Sequence, residues 1–373
     1  MRLLHVMEAT IGGTRRHLVD VARAQARRGH TVMVAASSLR TPAFEQDLTA
    51  LAGEGVRIER IPMLREIAPR TDWAHLRRLE TLLREYRPQI VHTHSSKAGA
   101  LGRLASLRTG IGARVHTPHT FAFLFGAMFS ARKRWMFREI ERFLARRTAA
   151  LIAVSEDERE TILKSGIARP ESLRVVQNGI DVEHAAAAQP IARRELCVPE
   201  DVPLLLCAGL WNAAKGQDLL LEALRAPGLE HVHILLAGEG ELRPLLERHG
   251  LGARVQLLGY REDVPRLLKS VDALVLPSRW EGMPYIVLES LAAGTPVVAT
   301  PVDGARCVLR QSQGGVLAEG LAPDAIAGAL RDFLGRTRAE RTQLARAGQA
   351  WVQEHASLDA MVRGLERVYG EVA

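Results

Sequence analysis

Short apolar runs alternate with helical patterns along the whole chain, and they do so twice over. In the first half the runs are Leu3–Met7, Thr31–Ala35, Val56–Ile61, Ile90–His94, Arg114–Thr117, Leu151–Val154 and Leu173–Val176. Helical spacing fills most of the gaps, as in Arg16–Arg28, Trp73–Tyr86, Ala98–Arg108 and Arg132–Arg147. Strands that follow one another only through helices pair in parallel, because a parallel pair needs a long crossover. The second half repeats the plan with Leu204–Ala208, His233–Ala237, Val255–Leu257, Ala273–Leu276 and Val297–Ala299. The alternation therefore predicts an α/β chain of two doubly wound domains, each with helices on both faces of a mostly parallel sheet. Asn178-Gly179-Ile180-Asp181 and the Ala-rich stretch up to Pro190 lie between the halves. We place the domains at residues 1–185 and 186–356, with a terminal helix over 357–373 whose Met361, Val362, Leu365 and Val368 have helical spacing.

Composition supports this plan and narrows the setting. A chain of 373 residues exceeds the usual size of a single core, and 47% hydrophobic residues is a globular proportion. The first apolar run is broken by His5 and Glu8, which is too polar for a signal peptide. No stretch reaches the ~18 uninterrupted apolar residues of a spanning helix. Cys197, Cys207 and Cys307 are odd in number and form no CxxC pair, so neither a disulfide framework nor a zinc site is expected, and a cytoplasmic setting is. The net charge of +8 is partly local, with Arg132, Lys133, Arg134, Arg138, Arg142, Arg146 and Arg147 crowding one helical pattern. Interleaved with Trp135, Phe137, Ile140 and Phe143, they make a basic amphipathic segment. A core-facing helix with a solvated basic face is one reading; attachment to an anionic membrane surface, at its inner face, is the sharper one. No recognisable nucleic-acid module accompanies the charge.

The densest chemistry lies in Trp280-Glu281-Gly282-Met283-Pro284-Tyr285-Ile286-Val287-Leu288-Glu289. Glu281 falls on a strand-to-helix loop, at the sheet edge where α/β proteins bind ligands. Glu289 follows eight residues later, which returns it to within ~80° of the same helix face. The run EGMPYIVLESLAAGTPVVAT resembles the donor-site signature of the retaining, nucleotide-sugar-dependent glycosyltransferases of family 4. The resemblance implies the GT-B architecture, two Rossmann-like domains facing a central cleft, with the last helix crossing back to the first domain. It implies that Glu281 meets the transferred sugar and that Glu289 holds the ribose hydroxyls. Backbone amides of Gly282, Met283, Pro284 and Tyr285, proline lacking one of its own, would face the sugar and diphosphate.

Other segments carry weaker signals that the same resemblance organises. Gly12 and Gly13 open a helix after the first strand, where backbone can approach an anion; a tight turn would read the same way. The family resemblance turns this loop toward the donor diphosphate and the acceptor. His92-Thr93-His94-Ser95-Ser96-Lys97 ends a strand and starts a helix. Its two histidines share a strand side with no third ligand evident, so a metal is not expected. Ser95 and Ser96 are possible caps and, with Lys97, a possible phosphate site. VHTHSSKAGALGRLA resembles family members that build bacterial surface polysaccharides, which would put His94, Ser95, Ser96 and Lys97 on the acceptor side. His119 aligns with the loop histidine that contacts the donor sugar, whereas His116 reads as structural. Phe121, Phe123, Phe125 and Phe129 form an aromatic loop, by default core but suited to a lipid-linked acceptor. Lys215 and Gly216 match the donor-phosphate loop, but Leu210 stands where the family has an arginine, and Arg279 is one possible substitute. Cys307 stands where a glutamate is common.

Together these residues point to transfer of a sugar from a nucleotide diphosphate-sugar to a hydroxyl acceptor, with no cofactor and no metal. His119, Lys215 and Glu281 are the expected catalytic residues. A lipid-linked saccharide is the expected acceptor. The competing readings are a non-catalytic sugar-nucleotide-binding protein, which Leu210 brings to mind, and a sugar-nucleotide epimerase on the same fold. A dinucleotide oxidoreductase is disfavoured because no strand runs into GxGxxG.

Overall fold

The computed structural model describes residues 1–64, 66–124 and 129–373. The chain divides into two compact units, one of Met1–Asn178 with Leu358–Ala373 and the other of Gly179–Ser357. The division comes ahead of residue 185 because the short helix Val182–Ala187 packs on helix Tyr285–Ala292 of the second unit.

The first unit holds strands β1 (Arg2–Met7), β2 (Thr31–Ala36), β3 (Arg57–Arg60), β4 (Ile90–His94), β5 (Ala113–Thr117), β6 (Ala150–Ala153) and β7 (Leu173–Val175). They form one sheet in the order β3-β2-β1-β4-β5-β6-β7, all pairs parallel. The second unit holds β8 (Leu204–Ala208), β9 (His233–Ala237), β10 (Val255–Gly259), β11 (Ala273–Leu276), β12 (Val297–Ala299) and β13 (Gly315–Leu317). Its order is β10-β9-β8-β11-β12-β13, again parallel. The sequence pattern misses β13, a three-residue strand that opens on glycine and has no alternation to display.

In each sheet the winding reverses beside the first strand, between β1 and β4 and between β8 and β11. Loops that leave the carboxyl ends of strands at such a reversal diverge, and the crevice they leave is where doubly wound sheets take ligands. The loops in question are Glu8–Gly13, Ser95–Lys97, Gly209–Lys215 and Pro277–Pro284. Of the expected catalytic, donor and acceptor residues, all but His119 and Glu289 lie in or beside these four loops.

Period-two alternation decides what each sheet face buries. On β1, Leu3 and Met7 join one apolar cluster while Leu4 and Val6 join another on the opposite face. His5 shares the parity of Leu3 and Met7, and pairs across to His92. The terminal helix Leu358–Val372 lies in the first unit, packs on helix Gly12–Arg27 and buries Met361, Val362, Leu365, Val368 and Tyr369. Burying side chains of this kind stabilises by about 1.5–3 kcal/mol each, so this helix is part of the first unit's core.

Candidate active site

In the second unit, the loop after β8 is laced to the loop after β9. The Gly209 amide donates to Ala237 O at 2.9 Å and the Trp211 amide to Glu239 O at 2.7 Å. This close approach needs glycine: a Cβ on Gly238, at φ 149°, would lie 1.9 Å from Gly209 O. Asn212 Oδ1 then accepts from the amides of Ala214 at 2.9 Å and Lys215 at 3.3 Å, a turn that presents Lys215. The Lys215 ammonium meets Glu281 Oε1 at 2.6 Å, and the buried Ser278 hydroxyl donates to the same oxygen at 2.8 Å. Thus two residues 66 apart in sequence, both picked out from the sequence, form one ion pair at the β8–β11 reversal.

After Glu281 the chain passes Gly282 and Met283 and enters helix Tyr285–Ala292 through an extended Pro284. Helix Asp303–Ser312 docks its amino end against this loop, so closely that a Cβ on Gly304 would come 2.1 Å from Gly282 O. The loop is therefore held from both ends. Glu289 lies in the second turn of its helix and is half-buried.

Leu210, where the family has an arginine, is 38% exposed. Arg279, the possible substitute, is engaged elsewhere. Its guanidinium grips Asp218 with two bonds of 2.8 and 2.6 Å and also donates to Ala213 O. That bidentate pairing raises the Arg279 pKa and lowers that of Asp218. Cys307 is buried in helix Asp303–Ser312.

In the first unit the structure corrects the reading of Ser95, Ser96 and Lys97 as a phosphate site. Buried Glu8, at the end of β1, accepts from the amides of Lys97 at 3.2 Å and Ala98 at 2.9 Å, and from the Ser95 hydroxyl. The amino end of helix Ser96–Thr109 is already met by a carboxylate, which complements the helix dipole. Ser95 sits at the cap position without capping, and the Lys97 ammonium bonds Asp72 at 2.6 Å and Glu66 O. His94 is fully buried in the sheet. Gly12 and Gly13, by contrast, are exposed at the start of helix Gly12–Arg27, which has no acidic residue in its first turn.

Backbone strain collects at the same sheet edge. Ser95 at φ 59°, His119 at φ 53° and Thr120 at φ 90° are non-glycine residues in left-handed territory. Each costs about 1–3 kcal/mol unless its surroundings fix it. Glu8 holds Ser95, and buried Glu158 holds the second pair by accepting from the amides of Thr120 at 3.0 Å and Val154 at 2.7 Å.

His119 ends a chain of imidazoles. His94 Nδ1 lies 3.2 Å from His119 Nε2, and His94 Nε2 lies 3.1 Å from His5 Nδ1. His92 bonds the Tyr369 hydroxyl at 2.6 Å and Thr117 Oγ1 at 2.8 Å. His17, from helix Gly12–Arg27, sets its ring edge-on to His119 at 4.6 Å. Burial pushes His5 down to about 4 and His119 down to about 3, and holds His17, His92 and His94 well below 6.5. All are neutral at neutral pH. The expectation that no third imidazole approaches His92 and His94 is corrected: nitrogens of His5, His92 and His94, and of His17, His94 and His119, lie within 4.8 Å of one another. Both ring nitrogens of His5, His92 and His94 already have partners, so an ion in the first group would have to displace those bonds.

His5, His17, Glu8, Glu158 and Tyr369 were missed as site residues. The legible signal for His5 was a polar residue on the buried parity of an apolar strand. His116 faces the opposite side of the sheet, bonded to Thr93 and packed on Gly99, a structural place. Phe121 and Phe123 are core, their tilted rings 5.0 Å apart, and Phe129 packs edge-on to Phe137; Phe125 lies outside the described residues.

Comparison with known proteins matches residues 11–184 to the Glycosyltransferase Family 4 model and residues 202–336 to the Glycosyl transferases group 1 model. The chain is 33% identical to the UDP-Gal:alpha-D-GlcNAc-diphosphoundecaprenol alpha-1,3-galactosyltransferase of Escherichia coli, over 73% of each protein. It is 29% identical to a D-inositol 3-phosphate glycosyltransferase of Xylanimonas cellulosilytica, over 96% of this chain and 92% of that one. Among solved structures it superposes on Anabaena HepE, crystallised with UDP and glucose, with a TM-score of 0.82 at 21% identity, covering 100% of both chains.

Proposed function

We infer the reaction from one premise: the chain belongs to glycosyltransferase family 4 and is a glycosyltransferase. On that premise it moves a hexosyl group from a nucleoside diphosphate-sugar to a hydroxyl of a lipid-linked saccharide, in the building of cell-surface polysaccharide, and retains the anomeric configuration. The Escherichia coli relative supports this acceptor class, since its own acceptor is diphosphoundecaprenol-linked and its product is alpha-linked.

The observation that carries the reading is the Lys215–Glu281 pair, made at 2.6 Å across the reversal of the second sheet. The bond between the anomeric carbon and the diphosphate oxygen breaks, and the acceptor oxygen bonds to the same face of that carbon. The acceptor's proton passes to the departing phosphate oxygen. Charge grows on the diphosphate as the bond breaks, and the Lys215 ammonium is the side chain suited to meet it. Glu281 and His119 orient the sugar, Glu289 accepts from the ribose hydroxyls, and the amides of Gly12, Gly13, Gly282, Met283 and Tyr285 bond the donor, with Pro284 shaping the loop. The cation here is the protein's own, so turnover is expected to survive a chelator.

A second reading is favoured by one specific pair of facts: Leu210 replaces the family's arginine, and Arg279 is committed to Asp218. With one cation lacking, the chain could bind donor and turn it over slowly. Calorimetry with a panel of nucleoside diphosphate-sugars, run beside turnover on a membrane extract, separates the two. Binding with turnover supports transfer; binding with none supports a sugar-nucleotide-binding protein; neither overturns both.

Membrane attachment is the remaining part of the proposal. Among the described residues no helix is long and apolar enough to cross a membrane. Helix Ala131–Ala145 leaves Trp135, Ile140 and Phe143 exposed among its arginines, while Glu141 turns inward to Arg103 at 2.7 Å. An apolar and basic surface of this kind suits the interface of an anionic bilayer.

A further inference from the structure

Four buried imidazoles and the half-buried His119, gathered at one sheet face, present a problem of proton placement. A neutral ring has one N–H and one lone pair, and two lone pairs cannot face each other without losing a buried hydrogen bond. The protons in such a chain must all run the same way.

The direction is set at the far end, by Gln25. This residue lies two turns beyond His17 on helix Gly12–Arg27 and is fully buried. Its Oε1, an obligatory acceptor, is 2.8 Å from His5 Nε2, so His5 carries its proton there. His5 Nδ1 is then a lone pair and takes a proton from His94 Nε2 at 3.1 Å. His94 Nδ1 in turn takes one from His119 Nε2 at 3.2 Å. A branch from the other end of the same amide agrees with this polarity. Gln25 Nε2 donates to the Tyr369 hydroxyl at 3.4 Å, and that hydroxyl donates to His92 Nδ1 at 2.6 Å. His92 is left to donate from Nε2 to Thr117 Oγ1 at 2.8 Å.

We propose that Gln25, His5 and His94 are positioning residues that lock His119 in the Nε2–H tautomer and leave its Nδ1 as an acceptor for a hydroxyl of the transferred sugar. The inference rests on the reading that His119 orients that sugar. It adds residues of helix Gly12–Arg27 and strands β1 and β4, none of which need touch the ligand. Low proton affinity of the buried rings helps, because a ring that stays neutral keeps a defined lone pair.

The test is nitrogen NMR of histidine-labelled full chain, with the His119 signals assigned by a His119→Gln variant. The unvaried protein should show His119 Nδ1 as the unprotonated nitrogen. A protonated Nδ1 would mean that the chain runs the other way and would overturn the proposal without any mutation. Gln25→Met, which removes the directing carbonyl but keeps the volume, should give His119 a mixture of tautomers. It should also lower kcat/KM for the donor on the order of tenfold. Gln25→Glu keeps an acceptor toward His5 and should keep the tautomer. An unchanged tautomer in Gln25→Met also overturns the inference. Full activity in His119→Gln, with the predicted tautomer in place, would instead overturn the assignment of His119 to the sugar.

Discussion

Acidification below pH 6.5 should destabilise the first unit through its buried histidines. His5, His17, His92, His94 and His116 are all buried and all held below the ordinary histidine pKa, chiefly by burial. The unfolded chain takes up protons at these positions as pH falls through 6.5, whereas His5 in the folded protein resists until about 4. Their contribution to stability is thus complete above pH 6.5 and is lost as pH falls toward the folded values. At pH 5.5 each ring costs on the order of 1 kcal/mol relative to neutral pH, and the five together on the order of 5 kcal/mol. That is comparable with the whole stability of a typical domain, about 5–15 kcal/mol. The shifted carboxylates of this unit, such as Glu45 and Glu54, are held by arginines below the ordinary carboxylate range, outside this window. Urea unfolding followed by circular dichroism at pH 7.5 and 5.5, with chelator present, reads the difference. His92→Gln should reduce the loss by about one ring's share, on the order of 1 kcal/mol. A stability at pH 5.5 within about 2 kcal/mol of that at 7.5 would refute the reasoning, since it would mean that the rings protonate in place.

Three further outcomes follow from the site. Glu289→Ala should weaken nucleotide-sugar binding, by about tenfold or more for the loss of a charged hydrogen-bond partner, with the melting temperature little changed. Unchanged affinity in calorimetry would remove the ribose assignment. Lys215→Ala should suppress turnover by about 100-fold or more while donor affinity falls much less, because its interaction grows with charge in the transition state. Parallel losses in the two would reduce it to a binding contact. Replacing Arg132, Lys133 and Arg134 with Gln should weaken sedimentation with anionic vesicles, each residue being worth about 1 kcal/mol, while activity on a soluble acceptor persists. No sedimentation of the unvaried protein at low salt would show that these charges are merely solvated.

The fold was largely legible because its cause is local. Strands β1 to β12 fall on short apolar runs or, for β3, on an alternating one, and their alternation with helices dictates parallel pairing before any tertiary contact is known. Lys215 and Glu281 were legible for the same reason, since each lies where a strand hands over to a helix. What escaped was set by pairing across the sheet. That Glu8 fills the amino end of helix Ser96–Thr109 depends on β1 lying beside β4, which no local pattern states. Likewise His5 and His92 sit 87 residues apart in sequence yet are register partners. Arg279 looked available next to Glu281, but its partner Asp218 comes from helix Gln217–Ala223, 61 residues away.

The central claim is retaining transfer from a nucleoside diphosphate-sugar to a lipid-linked acceptor. Its most direct test is proton NMR of the product formed from a nucleoside diphosphate α-hexose and a diphosphopolyprenol-linked saccharide, with the anomeric coupling read in the new linkage. The account predicts an α-linked hexose, formed in the presence of chelator and lost in Lys215→Ala. A β-linked product would contradict the same-face route.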